Sequence, residues 1–408
     1  MRIVDLFSGA GGLTFGFYYY LKDNKFVKTK HEFVFANEYD EKAAEAFHKN
    51  YEKIPMKNCK IEDLKDEVVL ELVGDKPVDL IIGGPPCQSF STVGKRCFDA
   101  KAKLYTEYLR MLKLIRPKMF LFENVKGMLS MREQIPIKDE DGNVKVDENG
   151  NEVTIAGELI IKKIEDEIKD IEGVVGYTIV GKDVLNAKNF GVPQSRERVF
   201  LIGVRNDLID KIEWKYPIAT HGVDGGLSCL TLRQAIEDLP KIEAGAPEIK
   251  EYDKEVTHDY QKLMRKGSKG LTHHYCGAHN EKLTKIIEKV APGEGRPYIN
   301  KLVKEGELPL ECYLTSGYNN TYGRLVADQP ATTITNNMCT PSALRCIHYE
   351  QNRTLTPREG ARIQSFPDWY EFVGQRGNVT KQIGNAVPPL LAMAMARRIE
   401  EVLTQKGK

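Results

Sequence analysis

Short apolar segments alternate with segments of helical period along the first 125 residues of this 408-residue chain. Apolar runs predict strands at residues 3–7, 33–36, 78–82 and 119–122, and helical spacing predicts helices at 13–20, 41–50 and 102–116. Strands that alternate with helices are joined by right-handed crossovers into a parallel sheet with helices on both faces. We therefore expect an α/β fold with a doubly wound, mostly parallel sheet.

Composition narrows the class of protein but not its substrate. The net charge is only +1, so a nucleic-acid partner requires a local basic surface. The eight cysteines include no C-x-x-C pair, which argues against a zinc ribbon and for reduced thiols in the cytoplasm. No apolar run approaches the roughly 20 residues that span a bilayer, and a strand pattern begins at the N-terminus without a signal peptide. These features favour a cytoplasmic enzyme with no membrane association.

The pattern changes after residue 131. Acidic turn signals at 138–143 and 147–152 predict an exposed hairpin insertion, and apolar runs at 177–180 and 199–204 resume the α/β pattern. Residues 213–354 have weak periodicity over a length that favours a second, smaller and irregular domain. We expect a first domain at 1–212, a second at 213–354, and C-terminal helices at 355–408 that return to the first.

A cysteine follows one predicted strand directly. Residues 83–91 read GGPPCQSFS, so Cys87 lies where ligands bind in open α/β sheets, beyond the carboxyl end of a strand. Two prolines stiffen the turn, which suits a rigidly presented nucleophile. The alternative is a buried structural cysteine, which does not require so unusual a backbone.

The turn after the first strand is similar to a dinucleotide-binding fingerprint. It reads GAGGLT from Gly9, with Thr14 in place of the third glycine, which weakens a hydride-transfer interpretation. Glu38, at the end of the second predicted strand, is positioned to accept hydrogen bonds from ribose hydroxyls. An adenosine ligand without a pyrophosphate fits this site, although Glu38 is alternatively a solvated carboxylate.

Charged residues follow or precede two further strands. Glu123 comes after the strand at 119–122, on the same sheet edge as Cys87, and apolar neighbours there raise the pKa of a carboxyl. In the segment QSRER at 194–198, alternation directs Arg196 and Arg198 to one face, where they can stabilise a thiolate, a carboxylate or a carbonyl oxygen. The alternatives are a salt-bridged surface glutamate and two surface arginines.

Taken together, these motifs resemble those of the DNA (cytosine-5) methyltransferases in order and spacing over nearly the whole chain. The resemblance rests on DLFSGAGG at 5–12, GPPCQSFS at 84–91, ENV at 123–125, QSRER at 194–198 and GNAVPP at 384–389. Arg324-Leu325 and PATTIT at 330–335 are similar to the family's motif at the edge of its target-recognition domain. The resemblance implies an S-adenosylmethionine-dependent, Rossmann-like methyltransferase fold, with target recognition at 213–354.

The family mechanism suits these residues. Carbon 5 of cytosine is a poor nucleophile, and attack of the Cys87 thiolate on carbon 6 makes it enamine-like. The resemblance implies that Glu123 hydrogen-bonds to or protonates ring nitrogen 3, that Arg198 holds the carbonyl oxygen, and that Arg196 supports the thiolate or Glu123. The cytosine must be flipped out of the duplex. The residues implied to contact it are Gln88, Ser89, Ser91, Thr332 and Thr333.

The same resemblance assigns the cofactor, S-adenosyl-L-methionine, which becomes S-adenosyl-L-homocysteine. Relatives often have an aspartate before the position of Ile61 to bind the adenine amine, whereas this chain has Lys60, so Glu62 or Asp63 must replace that contact or it is absent. The implied cofactor-binding residues are Phe7, Ser8, Gly9, Ala10, Gly11, Gly12, Glu38, Ile61, Pro86, Leu104, Asn385 and Val387.

The expected partner is double-stranded DNA, to which the second domain offers basic side chains. We expect a monomer in the cytoplasm of a bacterial or archaeal cell, associated with the nucleoid. Two alternatives stay open for its partner: a cognate restriction endonuclease that acts separately, or none, as for an orphan enzyme. His273, His274 and Cys276 have no second ligand pair, so no metal is expected.

Three alternatives remain open from the sequence. A tRNA cytosine-5 methyltransferase of the same fold would have the same cysteine and glutamate. A catalytically silent DNA-binding relative is disfavoured because Cys87, Glu123 and both arginines are present. A dehydrogenase is disfavoured by Thr14. The DNA sequence that is recognised cannot be derived from the second domain, which has no transferable code.

Overall fold

The computed structural model describes residues 1–85, 104–148, 152–169 and 175–404. The strands are β1 (Arg2–Leu6), β2 (Tyr19–Lys22), β3 (Lys25–Lys28), β4 (Glu32–Asn37), β5 (Met56–Lys57), β6 (Leu80–Gly83), β7 (Met119–Val125), β8 (Arg132–Pro136), β9 (Thr154–Leu159), β10 (Tyr177–Asn186) and β11 (Glu197–Arg205). The α-helices are α1 (Gly12–Tyr18), α2 (Glu41–Asn50), α3 (Asp66–Val73), α4 (Leu104–Ile115), α5 (Ile160–Lys169), α6 (Leu232–Ile236), α7 (Asp259–Arg265), α8 (Glu281–Lys289), α9 (Arg296–Lys304), α10 (Pro357–Ile363), α11 (Arg376–Asn385) and α12 (Pro389–Thr404).

A seven-stranded sheet in the order β10-β11-β7-β6-β1-β4-β5 forms the centre of the structure. Strands β7, β6, β1, β4 and β5 pair in parallel, whereas β11 is antiparallel to both β7 and β10. The carboxyl ends of β1, β4, β6 and β7 therefore meet at one edge. The predicted α/β class with a mostly parallel sheet is confirmed.

The strand predictions from the sequence agree with the structure in position more than in length. Helix α2 has the predicted bounds, and β7 continues three residues beyond the predicted end, so that Glu123 lies within the strand and not after it. Helix α1 ends at Tyr18, because the chain turns there into β2 of a small hairpin. The insertion after residue 131 is an antiparallel hairpin of β8 and β9, as predicted.

Apolar side chains cover both faces of the sheet. One cluster joins β1 and β7 to helices α1 and α12 and to apolar residues between 232 and 271. The other packs α3, α4 and α5 against the opposite face. A third, smaller cluster lies within residues 286–347 and joins α8 to α9. Residues 213–354, all of them described, contain four α-helices and no strand longer than an isolated bridge.

The C-terminal helices pack against the first part of the chain. Helix α12 lies along α1, and a Cβ on Gly16 would lie 2.2 Å from the backbone of Ala392. Helix α10 carries buried ion pairs, Arg353 to Glu359 at 2.6 Å and Arg362 to Asp238 at 2.9 Å. Removing one partner of such a pair leaves a buried charge uncompensated, so these pairs fix α10 in one position.

None of the helices in the described residues is both long and apolar enough to cross a membrane.

Candidate active site

The turn after β1 has an unusual backbone. Phe7, Gly9 and Gly11 have φ values of 57°, 55° and 94°, in the left-handed region that is costly for a residue with a side chain. Phe7 is the residue that bears this strain, and strain of this kind is concentrated at ligand-binding sites. The turn lies at the edge where the parallel strands end, as the sequence predicts for a cofactor loop.

Two buried tyrosines donate hydrogen bonds to carbonyls of this turn. The hydroxyl of Tyr51 donates a 2.8 Å hydrogen bond to the carbonyl of Gly11, and the hydroxyl of Tyr370 donates to the carbonyl of Ala10. A Cβ on Gly11 would lie 2.3 Å from the ring of Tyr51. Neither tyrosine was found from the sequence, because they are 40 and 360 residues away in the chain and belong to no motif.

Glu38 lies directly beside the turn. Its carboxylate accepts a 2.9 Å hydrogen bond from the amide of Gly9 and a 2.8 Å hydrogen bond from the amide of Asp40. Burial raises its pKa, and these two amides oppose the rise. Glu38 therefore fixes the position of the turn, and its carboxylate has further lone pairs for a ligand.

Asp5 and Thr14 form a buried pair beneath the turn. The Thr14 hydroxyl donates to Oδ2 of Asp5, while Oδ1 of Asp5 has no hydrogen-bond partner. Burial raises the pKa of Asp5 to about 8, Thr14 lowers it, and the charge of Glu38 raises it further. The threonine that replaces the third glycine of the fingerprint thus ties α1 to β1.

The turn between α11 and α12 contacts the glycine turn. A Cβ on Gly12 would lie 2.5 Å from the carbonyl of Val387, and one on Gly384 would lie 2.2 Å from the amide of Asn336. Val387 is buried and Asn385 is exposed. These close backbone approaches bring the segments 9–12, 335–336 and 384–387 together.

The other predicted cofactor residues lie around the same edge. Ser8 and Ala10 are buried within the turn. Ile61 is only 2 % exposed, and its carbonyl accepts a 2.8 Å hydrogen bond from Arg110. Leu104 is half-buried at the start of α4. Lys60, Glu62 and Asp63, the residues considered for the contact with the adenine amine, all have exposed side chains.

Glu123 and Arg198 form an ion pair at the ends of β7 and β11. Nε of Arg198 lies 3.1 Å from Oε1 of Glu123, and both side chains are about seven-eighths buried, with exposed fractions of 14 % and 13 %. A Cβ on Gly84 would lie 2.7 Å from Oε2 of Glu123. The glycine after β6 therefore provides room for the second carboxylate oxygen.

The pKa of Glu123 reflects opposing influences. Burial raises it above the ordinary value, and the charges of Arg198 and Arg196 lower it. The net direction is upward. A carboxyl with a raised pKa retains its proton closer to neutral pH, which is the property of a general acid.

Arg196 is fully buried and binds backbone carbonyls. Its Nη1 donates to the carbonyl of Ile334 at 2.7 Å, and its Nη2 donates to that of Gly384 at 2.9 Å. Its Nε has no partner. Burial lowers its pKa well below the usual range, and Arg198 contributes to this. The side chain joins β11 to residue 334 and to the end of α11.

The residues before β11 run beside the PATTIT segment. Ser195 and Ala331 are linked by a 2.8 Å backbone hydrogen bond, and the Thr333 hydroxyl donates to the carbonyl of Ser195 at 2.8 Å. The hydroxyl of Thr332 is buried without a partner. Gln194 accepts from the amide of Ile334 at 2.7 Å. The structure thus brings the predicted residues Thr332 and Thr333 next to Arg196.

The predicted nucleophile lies outside the described residues, as do Pro86, Gln88, Ser89 and Ser91. The described residues before them end at the buried Pro85, whose carbonyl accepts a 3.3 Å hydrogen bond from the side chain of Asn124. Asn124 follows Glu123 in β7. Gly84 and Pro85 therefore lie next to Glu123.

Both ring nitrogens of His274 have hydrogen-bond partners, the hydroxyl of Thr356 and the carbonyl of Pro240. His273 contacts the carbonyl of Phe372, and Cys276 contacts Thr354. Within the described ranges, no group of three histidine, cysteine or acidic side chains is arranged to hold a metal ion.

Comparison with known proteins agrees with this geometry. The family profile of C-5 cytosine-specific DNA methylases matches residues 1–401. The chain belongs to this family. It is a DNA cytosine-5 methyltransferase, which excludes the dehydrogenase alternative.

Bacterial relatives match this cytosine-5 methyltransferase along its whole length. The Type II methyltransferase M.DdeI of Desulfomicrobium norvegicum is 32% identical over 412 residues, which is 98% of this chain and 88% of the relative. The Type II methyltransferase M.FnuDI of Fusobacterium nucleatum is 34% identical over 415 residues, which is 100% of this chain and 96% of the relative. A crystal structure of a protein encoded within an E. coli prophage has a TM-score of 0.69 at 21% identity, and the match covers 99% of this chain and 100% of that one. That structure supports the fold.

Proposed function

We propose that the enzyme transfers a methyl group from S-adenosyl-L-methionine to carbon 5 of a flipped-out cytosine in a specific double-stranded DNA sequence. The observation that carries the proposal is the buried pair of Glu123 and Arg198, next to the Gly84-Pro85 segment that leads into Cys87. It combines a proton donor and a cationic group where a cytosine ring is to be held.

The glycine turn fits the cofactor. A Cβ on Gly9 would meet no atom within 4 Å, so space is open on that side of the turn, while Glu38 and the tyrosines hold the other side. Phe7, Glu38, Asn385 and Val387 are the residues that would hold S-adenosyl-L-methionine together with residues 8–12, Ile61, Pro86 and Leu104. When bound, the cofactor supplies an electrophilic methyl group and leaves as S-adenosyl-L-homocysteine.

In this proposal Cys87 makes the cytosine reactive. Its thiolate forms a bond to carbon 6 of the ring, the electron pair of the carbon 5–carbon 6 double bond becomes the carbon 4–carbon 5 double bond, and the pair of the carbon 4–nitrogen 3 double bond moves onto nitrogen 3, which takes up a proton. After methylation a water molecule takes the proton from carbon 5, its electron pair re-forms the carbon 5–carbon 6 double bond as the carbon 6–sulfur bond breaks, and the proton on ring nitrogen 3 returns to Glu123. The residues Gln88, Ser89 and Ser91 adjoin this cysteine and are proposed to contact the nucleotide.

Glu123 holds the proton that this addition requires. Because burial raises its pKa, the carboxyl donates to ring nitrogen 3 when the thiolate adds, so that negative charge does not accumulate on the ring. Arg198, already paired with Oε1, donates to the cytosine carbonyl oxygen.

Arg196 acts as a positioning residue. It orients Arg198 and Glu123 by fixing the start of β11 against Ile334 and Gly384, and its charge lowers the pKa of Glu123. The unpartnered hydroxyl of Thr332 and the neighbouring Thr333 are proposed to contact the flipped nucleotide.

The relatives' names support double-stranded DNA as the substrate, since both are Type II methyltransferases. We propose residues 1–212 as the catalytic domain, 213–354 as the target-recognition domain and 355–408 as helices that complete the catalytic domain. The enzyme is proposed to act as a monomer near the nucleoid of a bacterial or archaeal cell, beside a separate restriction endonuclease.

The test is methyl transfer by the native chain and by Cys87→Ser, with Cys229→Ser as the matched control. All three proteins are given labelled S-adenosyl-L-methionine with unmethylated genomic DNA or bulk tRNA, and the product is then analysed by bisulfite sequencing. We expect label at carbon 5 of cytosine within a short DNA sequence, lost in Cys87→Ser and kept in Cys229→Ser. Label in tRNA alone would support the tRNA alternative, and cofactor binding without transfer would leave a silent DNA-binding protein.

A further inference from the structure

A groove of about 400 Å³ lies between the β2–β3 hairpin and the segment after α7. We call it the hairpin groove. It is lined by Tyr19, Lys25, Phe26, Lys266, Gly267 and Trp369. Strand β4 begins directly after this hairpin, and a parallel strand begins at the sheet edge opposite to its carboxyl end. The lining includes none of the residues assigned to methyl transfer or to the cofactor, and the nearest link to that site is Tyr370, which follows Trp369 and binds the carbonyl of Ala10.

The groove is held in shape by a contact between its two walls. Asp23 and Asn24 form the hairpin turn with φ values of 50° and 52°, as a two-residue primed turn requires. The ammonium group of Lys266 donates to the carbonyls of Asn24 at 3.2 Å and Asp23 at 3.5 Å. The hairpin and the end of α7 are thus joined across the groove.

The charge of the groove is positive. Lys25 is exposed and Lys266 binds only the two carbonyls, and neither has a carboxylate partner among the described residues. The six lining residues include no acidic side chain. The nearby Asp368 is buried and paired with Arg362 at 2.5 Å. Two unneutralised ammonium groups favour an anionic ligand.

The floor of the groove is aromatic. Trp369 is half-buried and packs against Phe15, with ring centroids 6.0 Å apart, and against Tyr19 at 5.5 Å. Phe26 also contacts Phe15, at 5.1 Å. The indole is therefore fixed by its neighbours while part of it faces the groove. Such an aromatic surface binds flat rings by stacking, which for a nucleic-acid base contributes about 1–3 kcal/mol.

We propose that the hairpin groove binds a nucleotide, with its base stacked on Trp369 and its phosphate between Lys25 and Lys266. An aromatic floor beside two ammonium groups is the combination by which proteins bind single-stranded nucleic acid without sequence preference. An acidic peptide satisfies the lysines but not the indole. The bound nucleotide is either a free mononucleotide or part of an unpaired strand, since both have a base that can stack and a phosphate.

The chain has two tryptophans, Trp214 and Trp369, so the variant Trp214→Phe reports on the groove alone. Oligothymidylate of five nucleotides and thymidine 5′-monophosphate are the probes, because neither contains cytosine. The titrations are made with S-adenosyl-L-homocysteine present throughout. We expect the Trp369 fluorescence to be quenched either by both probes or by the oligonucleotide alone. The affinity for the oligonucleotide should fall as salt is added, and a plot of log affinity against log salt concentration should have a slope of about −1.4, because two phosphates are contacted.

In the Trp214→Phe background, Lys25→Glu is expected to weaken oligothymidylate binding about tenfold or more, without loss of DNA methylation. Lys113→Glu, an exposed lysine of α4, is the matched control and should bind as before. If the mononucleotide and the oligonucleotide both quench the fluorescence, the groove is a site for single nucleotides. If only the oligonucleotide does so, the groove is a site for single-stranded nucleic acid. Absence of quenching by both, unchanged binding by Lys25→Glu, or tighter binding of heptaglutamate than of the oligonucleotide would overturn the proposal.

Discussion

Arg198 lies 3.1 Å from Glu123, from the Nε of one side chain to the Oε1 of the other. The pair joins two antiparallel strands, β7 and β11, at the edge that also receives the end of β6. Burial raises the pKa of the carboxyl while the guanidinium lowers it, and the net direction is upward.

Replacing Glu123 with glutamine keeps the size of the side chain but removes the proton it donates. We expect Glu123→Gln to lower kcat by about 10²–10⁴, as is typical for the loss of a general acid. Steady-state methylation of a duplex that contains the recognition sequence measures the effect. Glu197→Gln, on the exposed side of β11, is the matched control, and an equal loss in both variants would contradict the role of Glu123.

Replacing Arg198 with methionine removes a charge that lowers the pKa of Glu123. A general acid is active when protonated, so the enzyme loses activity as pH rises through this pKa. Because Arg198→Met raises the pKa further, we expect the basic limb of the kcat/KM profile to move to higher pH while the maximum rate falls. A basic limb that stays in place would show that another group controls it.

The sequence predicts which residues form this site but not the contacts that hold those residues in position. Alternation along QSRER assigned Arg196 and Arg198 to one side, and both influence the pKa of Glu123. The carbonyl partners of Arg196, by contrast, lie 138 and 188 residues away. No local pattern encodes such contacts, since they depend on the packing of the C-terminal helices.

The glycine turn illustrates the same limit. Its position and glycines were predicted from the fingerprint, because the backbone conformation itself requires glycine at Gly9 and Gly11. Its support by Tyr51 and Tyr370 depends on long-range contacts. At position 14 the fingerprint indicates only that a glycine is absent, whereas the structure shows that the Thr14 hydroxyl donates a hydrogen bond to the carboxyl of Asp5.

Adding a methyl group at Gly84 tests the space around Oε2 of Glu123. Since the new Cβ would lie 2.7 Å from this oxygen, Gly84→Ala should displace the carboxylate and lower kcat about tenfold or more, as small displacements of a catalytic group do. The melting temperature should change little. Gly377→Ala is the control, because a Cβ there meets no atom within 4 Å. Full activity of Gly84→Ala would show that the carboxylate tolerates movement.

Arg196→Lys tests the two hydrogen bonds that connect β11 to residue 334 and to the end of α11. A lysine lacks the planar fork, so at least one buried carbonyl of Ile334 or Gly384 loses its donor. We expect a loss of about 2–4 kcal/mol in the free energy of unfolding, measured with urea. Arg205→Lys, at an ion pair with Asp207 nearer the surface, should lose under about 1 kcal/mol. Similar losses in the two variants would contradict a special role for Arg196.

The buried carboxyl of Asp5 predicts a pH dependence of stability. Its pKa rises from 3.8 to about 8 in the folded chain, so the folded state binds a proton between these values that the unfolded state releases. Stability from this group is complete below pH 3.8 and is lost as pH rises toward about 8, because the carboxylate must then form without water around it.

Asp5→Asn removes that titration and keeps an acceptor for the Thr14 hydroxyl. We expect the native chain to lose more stability than the variant between pH 5 and pH 9, by about 4 kcal/mol at most, in urea unfolding at the two pH values. The difference between the two proteins isolates Asp5 from the other groups that titrate in this range. Asp63→Asn, at an exposed position, should follow the native chain, and parallel pH curves for all three proteins would show that Asp5 is ionised in the fold.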